Sequence, residues 1–281
     1  MTLSSVEREP HVAGNVEPNV QDLYTAGITS CPGAFSSAWA DRVREDIERA
    51  FAEAIGRPGG AVGRGPQRYY VEVHPHQLRG YVELVTHPWV VAVCEAVLGP
   101  AYELVELGFD IPFANAQNQP WHRDFPSPPE THEWRRLTSL AFNLTAVDTT
   151  PQMGPFEIAP GTQFESGLSF HEQMFPAESE WPRYAAIAQR KMPQRGDISA
   201  RSALTIHRGT ANQSPLARPV LVLGVDAPGA GHAALHDAAV TPAYWQALPE
   251  QVRHHLKARI VDAPEPICQK HTIEGLVLGA G

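Results

Sequence analysis

The sequence predicts a mainly β-sheet protein, a sandwich or barrel whose core is a double-stranded β-helix (jelly roll) with flanking helices on one face. Two observations predict it. Short apolar runs with strand-forming residues recur through the middle and end of the chain, separated by glycine and proline turns. Helical spacing of apolar residues is instead concentrated near the N-terminus. The strand-like runs are residues 102–107, 137–144, 156–159, 196–206 and 219–225.

The elements that precede these runs follow from local signals. Residues 1–19 are polar and predict a flexible N-terminal arm, so that residues 20–281 form a single domain. A serine at 36 or 37 can cap a helix that runs to Ile55, because the following apolar residues recur at helical spacing. Residues 69–73 are strand-like.

Two further helices are predicted from their boundaries. Pro88 opens a helix that ends at Gly99 and Pro100, since proline is favoured in a first helical turn and glycine stops a helix. A last helix is predicted over residues 242–256.

Composition excludes several classes of function. The chain has 22 basic and 31 acidic residues and a net charge of −9, which disfavours a nucleic-acid partner. No segment is apolar enough to cross a membrane, and the N-terminus lacks a signal peptide, so a cytoplasmic location is expected. The three scattered cysteines indicate reduced thiols. Most of the 13 histidines lie in polar or proline-rich settings, and we expect those to be solvated; they include His74, His232, His236 and His255.

The most informative motif is Trp-His-Arg-Asp-Phe at residues 121–125. Side chains at i and i+2 of a strand leave the same face, so His122 and Asp124 could converge on one ion. His207 is a second isolated histidine that follows an apolar stretch. Two histidines and one carboxylate suit a non-haem Fe(II) that keeps positions open for O2 and a co-substrate. The alternative is that these histidines are ordinary hydrogen-bonded residues.

An arginine eleven residues after His207 adds to this interpretation. Arg218 opens an apolar run, and a buried arginine needs an anionic partner. A dicarboxylate co-substrate that chelates the iron and pairs with the guanidinium would supply that partner. A structural salt bridge with one of the chain's own acids is the alternative.

In order and spacing, these residues resemble the phytanoyl-CoA dioxygenase (PhyH)-like branch of the Fe(II)/2-oxoglutarate dioxygenases over residues 20–260. The resemblance rests on Gln-Pro-Trp-His-Arg-Asp at 119–124, Met-Gly-Pro-Phe-Glu-Ile-Ala-Pro-Gly-Thr at 153–162, Arg-Gly-Asp at 195–197, His207 and Arg218. The two N-terminal helices also match the family's order of elements.

The resemblance implies roles for individual residues. His122, Asp124 and His207 would bind the iron, Arg218 would hold the distal carboxylate of 2-oxoglutarate, and Gln119 would help to position that co-substrate. Two departures are Gly209, where some members have serine, and Phe156, where a threonine is expected. The aspartate at 124 differs from the small residue of related halogenases and implies oxidation of a C–H bond, chiefly hydroxylation.

Several residues are candidates for substrate contacts, although each aromatic one could equally be an ordinary core residue. His132 could face the site or be solvated, and Arg201 could meet an acidic substrate or form an internal ion pair. The aromatic candidates are Tyr69, Tyr70, Trp121, Phe125 and Phe142. Because no basic patch suits the phosphates of CoA, we expect a free small molecule as the substrate.

Two other functions stay open. A metal-dependent enzyme of the cupin type would need neither 2-oxoglutarate nor Arg218. A non-catalytic binding module would share the fold, but a decayed site usually loses a ligand, and here the set of four residues is complete.

Overall fold

The computed structural model describes residues 15–126, 128–166, 170–171 and 174–268. The helices are α1 Glu17–Thr25, α2 Ser37–Ile55, α3 Tyr81–Val85, α4 Pro88–Leu98, α5 Pro129–Trp134, α6 Trp181–Ile187, α7 Pro242–Ala247 and α8 Glu250–His255. The strands are β1 Ile28–Cys31, β2 Val62–Gly63, β3 Arg68–Glu72, β4 Glu103–Pro112, β5 Ser139–Thr145, β6 Phe156–Ile158, β7 Phe170–His171, β8 Phe175–Pro176, β9 Gln189–Lys191, β10 Ile198–Ser202, β11 His207–Gly209, β12 Val220–Asp226, β13 Ala239–Val240 and β14 Arg259–Ile260.

Two antiparallel sheets form the centre of the molecule. The large sheet has the order β1-β10-β5-β12-β4-β3-β2, and the small sheet has the order β11-β6-β9. Residues of both sheets line one cavity, which therefore lies between them. The predicted fold, a jelly roll with flanking helices, is confirmed.

A helical layer covers the outer face of the large sheet. The predicted helix from Ser36 is confirmed as α2, and the Ser36 side chain accepts a hydrogen bond from the Trp39 amide at 3.2 Å. The predicted helix that Pro88 opens is confirmed as α4. Apolar residues of α2, such as Val43 and Ile47, are fully buried in the main core together with residues of α4 and the large sheet. Burial of this layer fixes which face of the sheet is left for the cavity.

Strand alternation divides the large sheet into a helix side and a cavity side. On β12, Leu221 and Leu223 belong to the main core, whereas Val220, Val222 and Gly224 line the cavity. This is the period of two that a strand imposes on its side chains. The same alternation decides below which candidate residues reach the cavity.

One irregularity interrupts the pairing of β4 with β12. Gly224 pairs with Glu106 but the next residue, Val225, pairs with Leu104, so Val105 has no partner on β12. Val105 is thus the extra residue of a β-bulge. Both Val105 and Glu106 line the cavity, although they are consecutive.

Three sequence-based boundaries differ from the structure. The helix predicted over 242–256 is two helices, α7 and α8, because Pro249 lacks an amide hydrogen and disfavours helical backbone at the residue before it. The strand predicted over 196–206 ends at Ser202, where the chain leaves the large sheet and enters β11 of the small one. Helix α1 begins within the predicted arm of residues 1–19, of which residues 1–14 lie outside the described residues.

No helix in the described part of the chain combines the length and the apolar character that a membrane crossing requires.

Candidate metal centre

Three predicted metal ligands meet at one end of the small sheet. Backbone bonds in both directions join His122 to His207 at 3.0 and 2.9 Å, and the Asp124 amide donates to Ala203 at 2.9 Å. One ligand atom from each of His122, Asp124 and His207 lies within 4.8 Å of the other two. Residues 121–125 are not a regular strand, since His122 forms only an isolated bridge, yet that bridge is enough to bring the motif beside His207.

Hydrogen bonds and burial keep both histidines in the neutral form that can bind a metal. The Nδ1 atom of His122 lies 2.8 Å from the Pro120 carbonyl, and that of His207 lies 2.9 Å from the Thr205 carbonyl. A carbonyl only accepts, so each Nδ1 carries the hydrogen and each Nε2 presents a lone pair. Burial lowers the pKa of His122 to about 4 and holds the pKa of His207 well below its usual value. Both rings are therefore uncharged at neutral pH, as metal binding requires.

Asp124 is the anionic member of the set. Its Oδ2 atom accepts from Arg201 Nη1 at 2.6 Å, and Oδ1 lies 3.2 Å from Arg201 Nη2 and 3.4 Å from His207 Nε2. Burial alone would raise its pKa, but the charges of Arg201 and His207 lower it to about 2. Of the two roles considered for Arg201, the ion pair is therefore the one the structure shows.

The residues present fit a divalent transition-metal ion. Two imidazole lone pairs and one carboxylate oxygen form the donor set that non-haem Fe(II) prefers, with further positions left free. Metal–ligand bonds of about 2.1 Å place adjacent ligand atoms about 3 Å apart, near the His207–Asp124 separation of 3.4 Å. Small shifts of these side chains would complete the site.

The candidate metal ligands open onto a cavity of about 800 Å³ between the two sheets. Arg218 and Arg68 lie at one end of it, and Asp226 and His232 lie at the other, since Val220 and Asp226 are opposite ends of β12. The cavity thus has an arginine end and a carboxylate end. The candidate metal ligands lie on its small-sheet side.

Arg218 is a buried cation without an anionic partner among the described residues. Its Nε donates to the Met153 and Gly154 carbonyls at 3.2 and 3.1 Å, and among the described residues no carboxylate lies within ion-pair distance of it. Burial, and then the nearby charge of Arg68, lower the pKa of Arg218 to about 10, so it stays protonated at neutral pH. The alternative of a structural salt bridge is not what the structure shows.

Arg68 lies beside Arg218 and explains the glycine at position 209. Its Nη1 donates to Asp110 at 2.9 Å and its Nη2 to the Thr210 carbonyl at 3.1 Å, while its buried Nε has no hydrogen-bond partner among the described residues. A Cβ atom on Gly209 would lie 2.4 to 2.6 Å from the Arg68 guanidinium. The guanidinium therefore occupies the space that a side chain at position 209 would need, and Gly209 is what admits it.

Replacement of Gly209 by alanine is expected to displace the Arg68 guanidinium and to lower the free energy of unfolding by about 1–3 kcal/mol, the usual cost of overpacking. Urea unfolding of the metal-free protein measures this. Gly63→Ala is the matched control, because a Cβ there meets no atom within 4 Å. Equal stabilities of the two variants would show that Arg68 moves aside without cost.

The other end of the cavity is built from hydrogen-bond acceptors. His232 stacks on Phe125 at 3.9 Å between ring centroids, and its Nδ1 lies 3.0 Å from Asp226 Oδ2. Asp226 is 1% exposed and also accepts from Ser139 Oγ at 2.6 Å. When the imidazole is neutral, Nδ1 donates to the carboxylate and Nε2 becomes an acceptor. Glu106, which accepts a hydrogen bond from Tyr70, adds a second carboxylate.

The expectation that most histidines are solvated is wrong for several of them. His232 and His236 line the cavity, and His236 pairs with Glu72 at 3.4 Å. Burial opposes the charged form of His236, but Glu72 and nearby carboxylates raise its pKa overall. His74 and His255 are buried, because backbone groups hydrogen-bond to their rings. Polar sequence neighbours therefore did not imply exposure.

The candidate substrate residues divide between the cavity and the core. Tyr70, Phe125 and Arg201 line the cavity, as does Gln119, whose Oε1 accepts from the Gly209 amide at 2.9 Å. The prediction of substrate contact is corrected for four other candidates, because they do not line the cavity. They are Tyr69, Trp121, His132 and Phe142.

Strand alternation and local packing explain these four positions. Tyr69 follows the opposite face of β3 from Tyr70 and packs on Phe51, 5.4 Å between centroids. Phe142 faces Trp89 of α4 in the same way. Trp121 is fully buried, and Tyr184 and Arg208 contact its ring. The His132 ring bonds to the Phe164 carbonyl at 3.1 Å.

Several cavity residues were missed in the sequence. Arg68 and Glu72 lie two residues before and after the predicted Tyr70 on β3, and that period of two was a usable signal for one polar, inward face. Asp226, at the end of the apolar strand β12, is a similar signal. No local signal pairs His232 with Asp226, since the turn between them decides it.

Comparison with known proteins places this geometry in context. The family model for phytanoyl-CoA dioxygenase (PhyH) matches residues 23–220. A search of curated protein sequences found no significant match.

Three solved structures illustrate the similarity of fold. The non-haem α-ketoglutarate-dependent carbocyclase SnoK from nogalamycin biosynthesis has a TM-score of 0.63 and 19% identity, over 80% of this chain and 92% of its own. The epimerase SnoN, in complex with Fe3+, α-ketoglutarate and nogalamycin RO, has a TM-score of 0.60 and 18% identity, over 75% and 83%. EctD from S. alaskensis, with 2-oxoglutarate and 5-hydroxyectoine, has a TM-score of 0.60 and 14% identity, over 79% of each chain. At these identities the likeness is one of fold.

Proposed function

The chain belongs to the phytanoyl-CoA dioxygenase (PhyH) family of iron- and 2-oxoglutarate-dependent oxygenases, and from that premise we propose that it oxidises, by hydroxylation, a C–H bond of a small molecule. The reaction suits a tailoring step of a secondary metabolite. His122, Asp124 and His207 are the proposed iron ligands, and Arg218 is the proposed anchor of the co-substrate's distal carboxylate.

The observation that supports this function best is the buried guanidinium of Arg218. It lines the same cavity as the three candidate ligands and has no carboxylate partner among the described residues. A buried, unpaired charge is costly, so an anion is expected to join it. A dicarboxylate that binds the metal at its other end satisfies this need, whereas a cupin-type enzyme without 2-oxoglutarate leaves it unmet.

Each residue of the proposed site has a distinct role in this reaction. Bound iron with 2-oxoglutarate supplies the oxidising chemistry, in which O2 and 2-oxoglutarate become succinate, CO2 and the oxygen atom inserted into the substrate. The two neutral imidazoles and the Asp124 carboxylate hold the metal. Arg218 orients the co-substrate by a paired contact, with Arg68 as a second positive charge nearby. His122 and His207 are each 4% exposed and so lie largely out of contact with bulk water.

The carboxylate end of the cavity indicates what the substrate presents to the protein. Glu106, Asp226 and the Nε2 of a neutral His232 all accept hydrogen bonds. A substrate that donates there, through hydroxyl groups or a protonated amine, would satisfy them. Phe125, stacked on His232 next to Asp124, offers an apolar surface on which to place the C–H bond near the metal.

Anaerobic titration of the purified protein with Fe(II) and then 2-oxoglutarate tests the proposed function. The expected result is the weak visible charge-transfer band of the chelate, with succinate release on addition of air and a hydroxyl- or amine-bearing substrate. Iron binding without the band would favour the cupin-type enzyme. The absence of iron binding would favour a non-catalytic module.

A further inference from the structure

The ion pair between Arg201 and the candidate ligand Asp124 has a consequence for metal coordination. We propose that Arg201 is a positioning residue that holds Oδ2 of Asp124, leaves only Oδ1 for the iron, and so keeps this carboxylate a single-oxygen ligand. The inference rests on the proposed function, because it concerns the iron site assigned above.

The contacts distinguish the two carboxylate oxygens. Oδ1 lies 3.4 Å from His207 Nε2 and accepts only the longer bond from Arg201 Nη2, at 3.2 Å, whereas Oδ2 accepts the shorter bond from Arg201 Nη1, at 2.6 Å. A contact of the shorter length between charged groups is a strong, charge-assisted hydrogen bond. Oδ1 therefore keeps a lone pair on the His207 side, where the metal would lie, and Oδ2 is held by the stronger bond to the guanidinium.

The position of Arg201 within the large sheet restricts its movement away from Oδ2. Strand β10 lies between β1 and β5, and Arg201 pairs there with Ile28 on one side and Ala141 on the other. The arginine is 5% exposed. The Asp124 amide is bonded to Ala203, two residues beyond the arginine. Both partners are therefore fixed to the same turn of the backbone.

The count of coordination positions shows why a single-oxygen carboxylate matters. A carboxylate binds a cation through one oxygen or through two. Two imidazoles, two oxygen atoms of 2-oxoglutarate and one oxygen of Asp124 fill five of the six positions of an octahedral ion. A second oxygen of Asp124 would fill the sixth and leave none for O2.

Metal affinity does not account for an arginine at this place. A guanidinium beside the metal position repels a divalent cation, more strongly in a partly buried site than in water. We therefore expect that removal of Arg201 leaves Fe(II) binding as tight as in the wild type or makes it tighter. Arg201 opposes Fe(II) affinity and yet bonds to the candidate ligand Asp124. The orientation that it imposes on this carboxylate explains its presence.

Nitric oxide binding to the iron-loaded protein tests this role. Nitric oxide takes an open position on Fe(II) in place of oxygen and gives an electron paramagnetic resonance signal, so the measurement does not depend on turnover or on a known substrate. Wild-type protein with Fe(II) and 2-oxoglutarate is expected to give the full signal. In Arg201→Met the chelate band should form as before, while the signal at a fixed nitric oxide concentration falls about tenfold, the size expected for one charge-assisted hydrogen bond.

Two further measurements make the result decisive. Guanidinium ion added to Arg201→Met should restore the signal, because it can refill the space beside Oδ2. Arg201→Gln is polar but too short to reach Oδ2, so it should lose the signal too and serves if the methionine variant does not fold. Arg183→Met is the matched control, since Arg183 pairs with Glu165 away from the cavity and its side chain is 48% exposed.

The contrary outcomes are distinct. A full nitric oxide signal in folded Arg201 variants would mean that Asp124 binds through one oxygen without help. Loss of iron binding in those variants would make Arg201 a requirement for the metal and would equally overturn the proposal. A wild-type protein that forms no chelate band contradicts the proposed function itself, before any variant is compared.

Discussion

Replacement of Asp124 by alanine is expected to abolish the iron-dependent reaction. The change removes the carboxylate among the three candidate ligands, which lie within 4.8 Å of one another. Loss of a carboxylate or carbonyl that hydrogen-bonds to a metal-bound histidine costs about 10- to 100-fold in affinity, so loss of a ligand itself should weaken Fe(II) binding by more than about 100-fold. Isothermal titration with Fe(II) under anaerobic conditions measures the affinity, and succinate release measures turnover.

The control for this variant must separate metal binding from folding. Alanine also leaves the buried Arg201 guanidinium unpaired, which should lower the free energy of unfolding by about 1–3 kcal/mol. Asp124→Asn retains the shape and can be compared with it by thermal unfolding. Asp41→Ala, which removes a 37% exposed carboxylate paired with Arg195, should leave Fe(II) affinity unchanged. Undiminished Fe(II) affinity in Asp124→Ala would mean that the metal lies elsewhere.

Replacement of Arg218 by alanine is expected to weaken 2-oxoglutarate binding by about 100-fold, or about 3 kcal/mol, while Fe(II) binding persists. The reason is that Arg218 offers a buried guanidinium with free donors at the arginine end of the cavity. The chelate band, titrated with 2-oxoglutarate at saturating Fe(II), measures the change. An unchanged affinity would contradict the assignment of Arg218 and leave the neighbouring Arg68 as the alternative anchor.

Arg190→Ala is the matched control for that experiment. Arg190 is also an arginine of the sheet region, but its side chain is 50% exposed and pairs with Glu157 at 2.6 Å. Arg190 does not line the cavity, and Glu157 keeps its pair with Arg208, so the loss of Arg190 should change neither 2-oxoglutarate affinity nor Fe(II) affinity. A parallel loss in both variants would point to general electrostatics of the protein and not to a contact at Arg218.

The sequence was sufficient where one local pattern determines one element. The capped helix α2 and the proline-started helix α4 are confirmed, because capping residues and apolar spacing act over a few neighbouring positions. The meeting of the three candidate metal ligands could be predicted for a related reason. A histidine and an aspartate two residues apart need only one neighbouring strand, and His207 supplies it.

The remainder of the site depends on contacts that no short pattern contains. Arg201 could be predicted only as a pair of alternatives, since its partner Asp124 lies 77 residues away in the sequence. His232 was expected to be solvated, because neither its stacking on Phe125 nor its bond to Asp226 follows from its neighbours. Trp121 shows the converse. Its place beside the ligand motif in the sequence did not put its side chain in the cavity, because it contacts Tyr184 and Arg208 instead.

The bulge at Val105 gives the substrate end of the cavity a degree of evolutionary freedom. Pairing between β4 and β12 is regular from Asp110 to Glu106, beside the arginine end, and changes only at Val105. Loss or gain of one residue at a bulge alters the strand beyond it without disturbing the register before it. A single-codon insertion or deletion there could reshape the part of the cavity that meets the substrate while the co-substrate end keeps its pairing. Related chains can therefore diverge in what they oxidise by changing length, as well as by exchanging side chains.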